Sequence, residues 1–567
     1  MSIFDSIKVP KPKRSNFDLS HDVKLTTDFG KLVPFLCTEV LPGDSFKCQS
    51  QVFARLAPMF APVMNKMDIY THYFFVPYRL LWDKWEDFIT GGEDGLQMPS
   101  KPKKNLRDMA QDDLLDIGSL ADYLGLPSVF KNKQGMDGED IPNVEVDDLP
   151  FRAYALIWNE WYRDQNLQDE IPIDKDQSGT ILGTPINQEG NHRYRIQHRC
   201  WPKDYFTSAL PWPQRGPDMR LPMSEDPTIT TDSKTSPLLN EHNGSNLFLG
   251  IGGTSGSVNV RYNGTLNRNE LYVQGTNSDT STAKVHLNPD QFRIDVSSLG
   301  PTVNELRRSI QIQKWLESNA RGGARYIEQI LSHFGVVSSD ARLQRPELLG
   351  GGRSPVLISE VLNTAESSGG ANDFNANLGA MGGHGVSAQN SHGFKRYFEE
   401  HGLLIGILSV MPRPSYYLGV PKLFSRFDKF DYAWPEFANL GEQEITLKEL
   451  WAYERPTAST TKYDPDEVFG YTPRYAEYKM IPSQIHGEFR NSMRYWHLGR
   501  IFDGEPKLNA EFVTCGSWLN NTSSQEELDR IFAFQGDGST YDDHIWIQVN
   551  NQIVAKRPLP YYGTPQF

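Results

Sequence analysis

Residues 302–352 read TVNELRRSIQIQKWLESNARGGARYIEQILSHFGVVSSDARLQRPELLGGG, and their pattern switches three times. Thr302 follows Pro301 and stands three residues before Glu305, the spacing of a capping box that opens a helix. Val303, Leu306 and Ile310 mark one face at helical spacing. Arg321-Gly322-Gly323 interrupts the pattern, because each glycine costs a helix about 1 kcal/mol against alanine. A second helix carries Ile327, Ile330, Leu331 and Phe334 as an i, i+3, i+4, i+7 stripe. After Gly335 a compact, turn-rich tail places Arg342, Arg345 and Glu347 close enough to form ion pairs. The stretch reads as a packing device, with nothing catalytic in it.

Outward from these helices the chain turns to β patterning. Ile69–Val76 and Gly402–Val410 are apolar runs bounded by prolines, long enough for strands buried on both faces. Short strands are expected at Phe512–Thr514, Ile545–Val549 and Ile553–Ala555, before an extended, proline-rich C-terminal arm. Residues 91–148 form a polar surface excursion with a short helix near Ser119–Leu124. Phe151–Asn166 reads as an amphipathic helix with Tyr154, Ile157, Trp158 and Trp161 on one side, a core stripe rather than a base-stacking one. Asn363–Gly393 is glycine-rich and expected as a long loop. Residues 216–300 are rich in Ser, Thr, Asn and Gly, yet Val258, Val260 and Tyr262 alternate, as do Phe292, Ile294 and Val296. That segment is either a small inserted β-rich module or a disordered surface loop.

The totals narrow the function. The chain has 567 residues and a net charge of −14, which argues against a dedicated nucleic-acid binder but not against a shell touching nucleic acid on one face. Its four scattered cysteines form no CxxC pair, and no apolar N-terminal run suggests a secretory signal. A reduced, cytosol-made protein is expected. Residues 1–20 are locally basic through Lys8, Lys11, Lys13 and Arg14, an arm that touches nucleic acid phosphates, packs on a neighbour or is simply solvated. No Walker A, HExxH, GxSxG or EF-hand motif is present, and no catalytic or metal-binding residue is nominated. His486 and His497 lack companion ligands and are expected as hydrogen-bonded, buried histidines; Asp464, Asp466 and Glu467 read as a solvated acidic loop. Arg342, Arg345, Arg490, Arg494 and Arg500 suit carboxylate pairing at packing or subunit interfaces.

Several segments, in one order, resemble the major capsid proteins of microviruses, with the closest likeness to the gokushovirus branch. They are PGDSF (42–46), FARLAP (53–58), HYFFVPYRLLWDKW (72–85), YFTSALPWPQRG (205–216), ARGGARYIEQILSHFGV (320–336), DARLQRPELLGG (340–351), EEHGLLIGILSV (399–410), FDYAWPEFANLGEQEI (430–445) and residues 471–502. The resemblance implies a mainly β fold: an eight-stranded antiparallel jelly-roll barrel with long loop insertions and a few helices. On that basis the organisation is a basic arm (1–20), a first core part (21–215), an insertion (216–300) and a second core part (301–567) with helices over 302–334. It further implies a self-assembling T=1 icosahedral shell, without cofactors, enclosing single-stranded DNA. The insertion would form three-fold protrusions that meet a host receptor. Other virion proteins, such as a pilot or DNA-condensing protein, would be partners, and assembly would take place in the bacterial cytoplasm. A trimeric receptor-binding spike and a β-sandwich carbohydrate-active enzyme are the alternatives.

Overall fold

The computed structural model describes residues 13–111, 114–128, 144–181, 193–217, 303–323, 325–362, 381–390, 393–453, 464–502, 504–516, 522–533 and 543–562. It also describes six short strands between 229 and 294.

Eleven strands make two antiparallel sheets over one shared core. They are β1 (Ser15–Asp18), β2 (His21–Thr27), β3 (Val33–Val40), β4 (Ser45–Leu56), β5 (Met67–Pro77), β6 (Glu347–Pro355), β7 (Leu357–Leu362), β8 (Met381–Asn390), β9 (Phe394–Tyr397), β10 (Gly402–Pro412) and β11 (Ile545–Arg557). In the seven-stranded sheet β1 and β2 pair with β11, β11 with β4, β4 with both β8 and β9, and β8 with β7. The four-stranded sheet runs β6-β5-β10-β3. Strand chemistry explains which sheet faces water. Along β4 and β11 buried and exposed residues alternate, so one face is packed and the other open. Every residue of β10 is buried, and β5 is nearly so.

The core between the sheets holds Phe35, Phe46, Val52, Ile69, Tyr73, Leu404, Leu408, Ile547 and Val549. The far face of the four-stranded sheet, through Phe74, Val76, Leu403 and Ile405, packs on helix α1 (Leu149–Ile157) with Phe151, Tyr154, Ile157 and Trp158. This second core contains a fully buried ion pair, Arg152 Nε to Asp148 Oδ2 at 2.6 Å. Arg152 also donates to the carbonyl of Asp174 (2.7 Å), and Tyr194 donates to Asp148 Oδ1 (2.6 Å), the extra partners a buried pair needs.

Several expectations are corrected. The mainly β, antiparallel fold is as expected, but no pairing among the described residues closes the two sheets into a barrel. Phe512–Thr514 is not a strand: the Asn509 side chain accepts from the Phe512 amide (2.9 Å) and caps a helical turn over Ala510–Val513. Ile545–Val549 and Ile553–Ala555 are one strand, paired with β4 without a break from Ile545 to Lys556. The helix expected to reach Asn166 ends its α-turns at Ile157 and widens into a π-turn over Trp158–Tyr162. The turn-rich tail after Gly335 becomes β6 from Glu347 onward. Part of the expected glycine loop is β8 (363–380 lie outside the described residues). The glycines there serve contact: a Cβ on Gly383 would stand 2.4 Å from the Ala61 carbonyl oxygen, and one on Gly385 2.5 Å from Leu56 Cδ1.

Gln214–Ser318 forms a second compact unit. Within it, Asn259–Tyr262, Leu271–Gln274, Ala283–Leu287 and Leu238–Asn240 form a four-stranded antiparallel sheet, and Ile229–Thr231 pairs with Phe292–Ile294. Helix α2 (Val303–Gly322) leads out of it, and α3 (Tyr326–Phe334) follows; Thr302, the expected cap, lies outside the described residues. No helix among the described residues is long and apolar enough to cross a membrane, and all four cysteines are free thiols.

Candidate functional site

The joint between α2 and α3 is built from its glycines. A Cβ on Gly322 would lie 2.7 Å from the Ser332 side chain, and Gly323, at φ +102°, leaves no room beside Glu328 and Gln165. Glu328 then accepts from the Arg325 amide (3.1 Å) and from Gln165 Nε2 (2.7 Å), while Arg325 Nη2 donates to the Asn159 carbonyl (2.7 Å). The joint is held tightly, but the stripe it presents is bare. Ile327 and Ile330 are half-buried, whereas Leu331 and Phe334 are exposed and α3 buries no residue. Val303, Leu306 and Ile310 on α2 are exposed too. The packing face expected from the sequence is left exposed on α3 among the described residues.

A second apolar surface follows β10. Between 423 and 440, Leu423, Phe424, Phe427, Phe430, Trp434 and Leu440 are all exposed, Phe427 at 90%. Their conformation is nonetheless fixed. Asp431 accepts from the amides of Phe427 (2.8 Å) and Asp428 (2.7 Å), and Trp434 Nε1 donates to the Lys429 carbonyl (2.8 Å). Arg426 anchors the knob to the body: its guanidinium lies 4.4 Å from the Tyr478 ring centre and 3.3 Å from Glu477. A rigid row of exposed aromatics is a surface made to be covered.

The arginines separate into two groups. Arg345 is a clasp inside the chain: it is buried, stacks 4.2 Å over Trp161 and lies 3.4 Å from Asp340 and 3.9 Å from Glu160. Glu347 pairs with Arg396 at 2.9 Å, and burial lifts its carboxyl above the ordinary range. Arg500 is also internal, donating to the Phe512 carbonyl (2.8 Å). Arg342, Arg490 and Arg494 are exposed, the last two bonded to the carbonyls of Ile485 (2.8 Å) and Arg490 (3.2 Å). His497 is buried and bonded to the Phe489 carbonyl (2.7 Å), whereas His486 is exposed. Asp464, Asp466 and Glu467 are exposed. Lys13 and Arg14 are exposed at the start of β1, with Arg14 5.4 Å from the Tyr397 ring centre; Lys8 and Lys11 lie outside the described residues.

One buried polar group has no signal in the sequence, because its members are scattered from residue 28 to 544. Asp28 Oδ1 accepts from the His544 amide (2.9 Å), and His544 Nδ1 lies 3.2 Å from Asp28 and 3.5 Å from Asp529. Lys31 bridges Asp28 (3.1 Å) and Asp543 (2.7 Å). Burial, then the charge of Asp28, pushes Asp529 up to about 7. Burial would raise Asp28 as well, but the His544 hydrogen bond and Lys31 outweigh it and hold that carboxyl well below its usual range.

A sandwich core, an anchored apolar knob and the exposed residues of α3 suit a structural protein that meets other chains. Comparison with known proteins agrees. The family described as "Capsid protein (F protein)" matches residues 6–567. Capsid protein VP1 of Bdellovibrio phage phiMH2K is 36% identical over 566 residues, covering 97% of this chain and 95% of that protein. Capsid protein VP1 of Chlamydia phage 1 is 34% identical over 615 residues, covering 99% and 97%, and that of Spiroplasma virus 4 is 28% identical over 583 residues, covering 100% and 96%. The chain belongs to this phage capsid family, that of the microvirus major capsid proteins, and its function is structural.

Proposed function

We propose that the chain closes into a simple T=1 icosahedral shell around single-stranded DNA, acting by geometry and without catalysis. The exposed, rigid aromatic row from Leu423 to Leu440 carries the reading, because a second copy of the chain is the partner a shell subunit meets. The core is an eight-stranded jelly roll with added edge strands. The orders β2-β11-β4-β8 and β3-β10-β5-β6 support this, since consecutive strands β2 to β5 alternate between the two sheets in pairs as a jelly roll requires. Residues 1–20 serve as an arm, and 216–300 as the surface protrusion that meets the host receptor. Other virion proteins join the shell, which assembles in the bacterial cytoplasm.

Size-exclusion chromatography with negative-stain microscopy of the purified full chain tests the shell. Closed particles of uniform diameter are expected, and Phe427→Asp should leave soluble subunits that do not close. A wild-type chain that stays monomeric or stops at a trimer would overturn the reading.

A further inference from the structure

The aromatic knob and an apolar cleft stand side by side on one surface. The cleft, of about 370 Å³, is lined by three buried aromatic residues, Phe206, Tyr416 and Tyr417, and by three exposed residues, Tyr478, Met480 and Ile481. Leu423 and Arg426 belong to its wall as well, and they are also the root of the knob. Phe427, 90% exposed, therefore stands one residue beyond the wall of the cleft and leaves it unfilled. Knob and cleft are locked together. The Arg426 guanidinium packs 4.4 Å from the Tyr478 ring centre, and the Trp434 amide donates to the Tyr475 hydroxyl at 3.2 Å.

Charge is divided between the same two features. On the knob Asp428 and Asp431 are exposed and accept from backbone amides, Asp428 from that of Lys429 (2.7 Å), Asp431 from those of Phe427 (2.8 Å) and Asp428 (2.7 Å). At the cleft Arg490 is exposed and donates to the Ile485 carbonyl (2.8 Å). None of these three side chains is in an ion pair among the described residues. The knob thus offers carboxylates and the cleft a guanidinium, each left without its opposite charge.

We propose that two copies of this chain mate here about a two-fold axis, each seating Phe427 in the other's cleft and bringing the carboxylates of the knob to Arg490. A surface that carries a protrusion beside the recess for it is complementary to itself. Turning a second copy by 180° about an axis between the two sets each knob against the opposite cleft, the reciprocal contact of a closed pair. Aromatic anchors seated in apolar pockets are where interface energy concentrates, and charges at the rim fix register more than affinity. A chain of the phage capsid family meets other copies of itself, which makes a second copy the occupant. The contact rests on the shell reading above and adds to it a symmetry axis and the cleft into which the aromatic row fits.

The test puts the photocrosslinker p-benzoylphenylalanine in place of Phe427 in the full chain, irradiates the particles, and reads gel mass and adduct peptides. Covalent dimers and nothing larger are expected, with adducts on residues 416–417 and 478–490 of the second copy. A ladder of trimers and pentamers would mean a contact that runs on around a three-fold or five-fold axis, and would overturn the two-fold pairing. Adducts outside the cleft, adducts on another protein, or no crosslink between copies would overturn it too. If that variant does not assemble, the same probe in place of Ile481 decides, with adducts expected on residues 423–431. Particles whose crosslinks fall elsewhere leave the shell standing and remove only this contact. Failure of the wild-type chain to form particles falls on the shell, and the crosslink is then read on the purified subunits.

Discussion

Asp529 shows how one buried carboxylate ties the stability of this fold to pH. It faces Asp28 and His544, with Lys31 and Asp543 behind them, and Gln525 Nε2 donates to it at 3.0 Å. Its folded pKa of about 7 lies above the value near 3.9 expected of an unfolded chain. The folded state therefore holds the proton longer, so this stabilisation is complete below about pH 4 and is lost as pH rises to about 7. Asp28, shifted the other way, loses its contribution only under more acidic conditions, and so leaves that window clear. Asp543, also raised by burial, tilts the same window in the same direction. Asp529→Asn mimics the protonated form. Thermal melts from pH 4 to pH 8 should show the variant gaining on the wild type as pH rises, with a shallower slope of its own. Parallel curves would mean that the proton sits elsewhere in the cluster.

At the scale of elements, α3 separates folding from assembly. Its joint to α2 is satisfied inside the chain by Glu328, Gln165 and Arg325, while Leu331 and Phe334 touch little. Exposed substitutions that break no contact change stability by about 0.5 kcal/mol or less. Leu331→Glu with Phe334→Glu should therefore leave the subunit melting temperature within a degree or two while abolishing particles in micrographs. A large drop in melting temperature would assign the stripe to the subunit's own core. The same helix shows what could be read without coordinates. Helical period, the glycine break at 322–323 and the Gly335 stop are local properties, so the two helices were legible. The period marks an apolar face but not what covers it, and among the described residues Leu331 and Phe334 stay exposed. β10 was legible because a strand buried on both faces is apolar at every position. β8 was not, because its glycines answer to Ala61 and Leu56, residues more than 300 positions upstream. Arg345 suits packing by its chemistry and lies in a clasp, whereas the neighbour of Trp546 across the ladder, Arg55, follows only from the β4–β11 register.

For the whole molecule, the division of labour follows from where the cores lie. The core between the sheets, the core under α1 and a third around Phe206, Tyr416, Ile445 and Phe512 are built, among the described residues, from the first unit. Burying apolar area is what stabilises a domain, at about 25 cal/mol per Å². A segment with a sheet of its own is expected to be one the remaining chain can fold without. The strands at 229–231, 238–240, 259–262, 271–274, 283–287 and 292–294 pair only with one another, so their removal breaks no ladder in the sandwich. Replacing residues 220–296 with a flexible Gly/Ser linker should leave the subunit soluble, with its melting temperature nearly unchanged. Electron microscopy should then show closed particles of the same inner diameter with smoother outlines, and host adsorption should be lost. If the shortened chain aggregates, the insertion is needed to fold the sandwich; if it folds and closes but still adsorbs, attachment belongs to another surface.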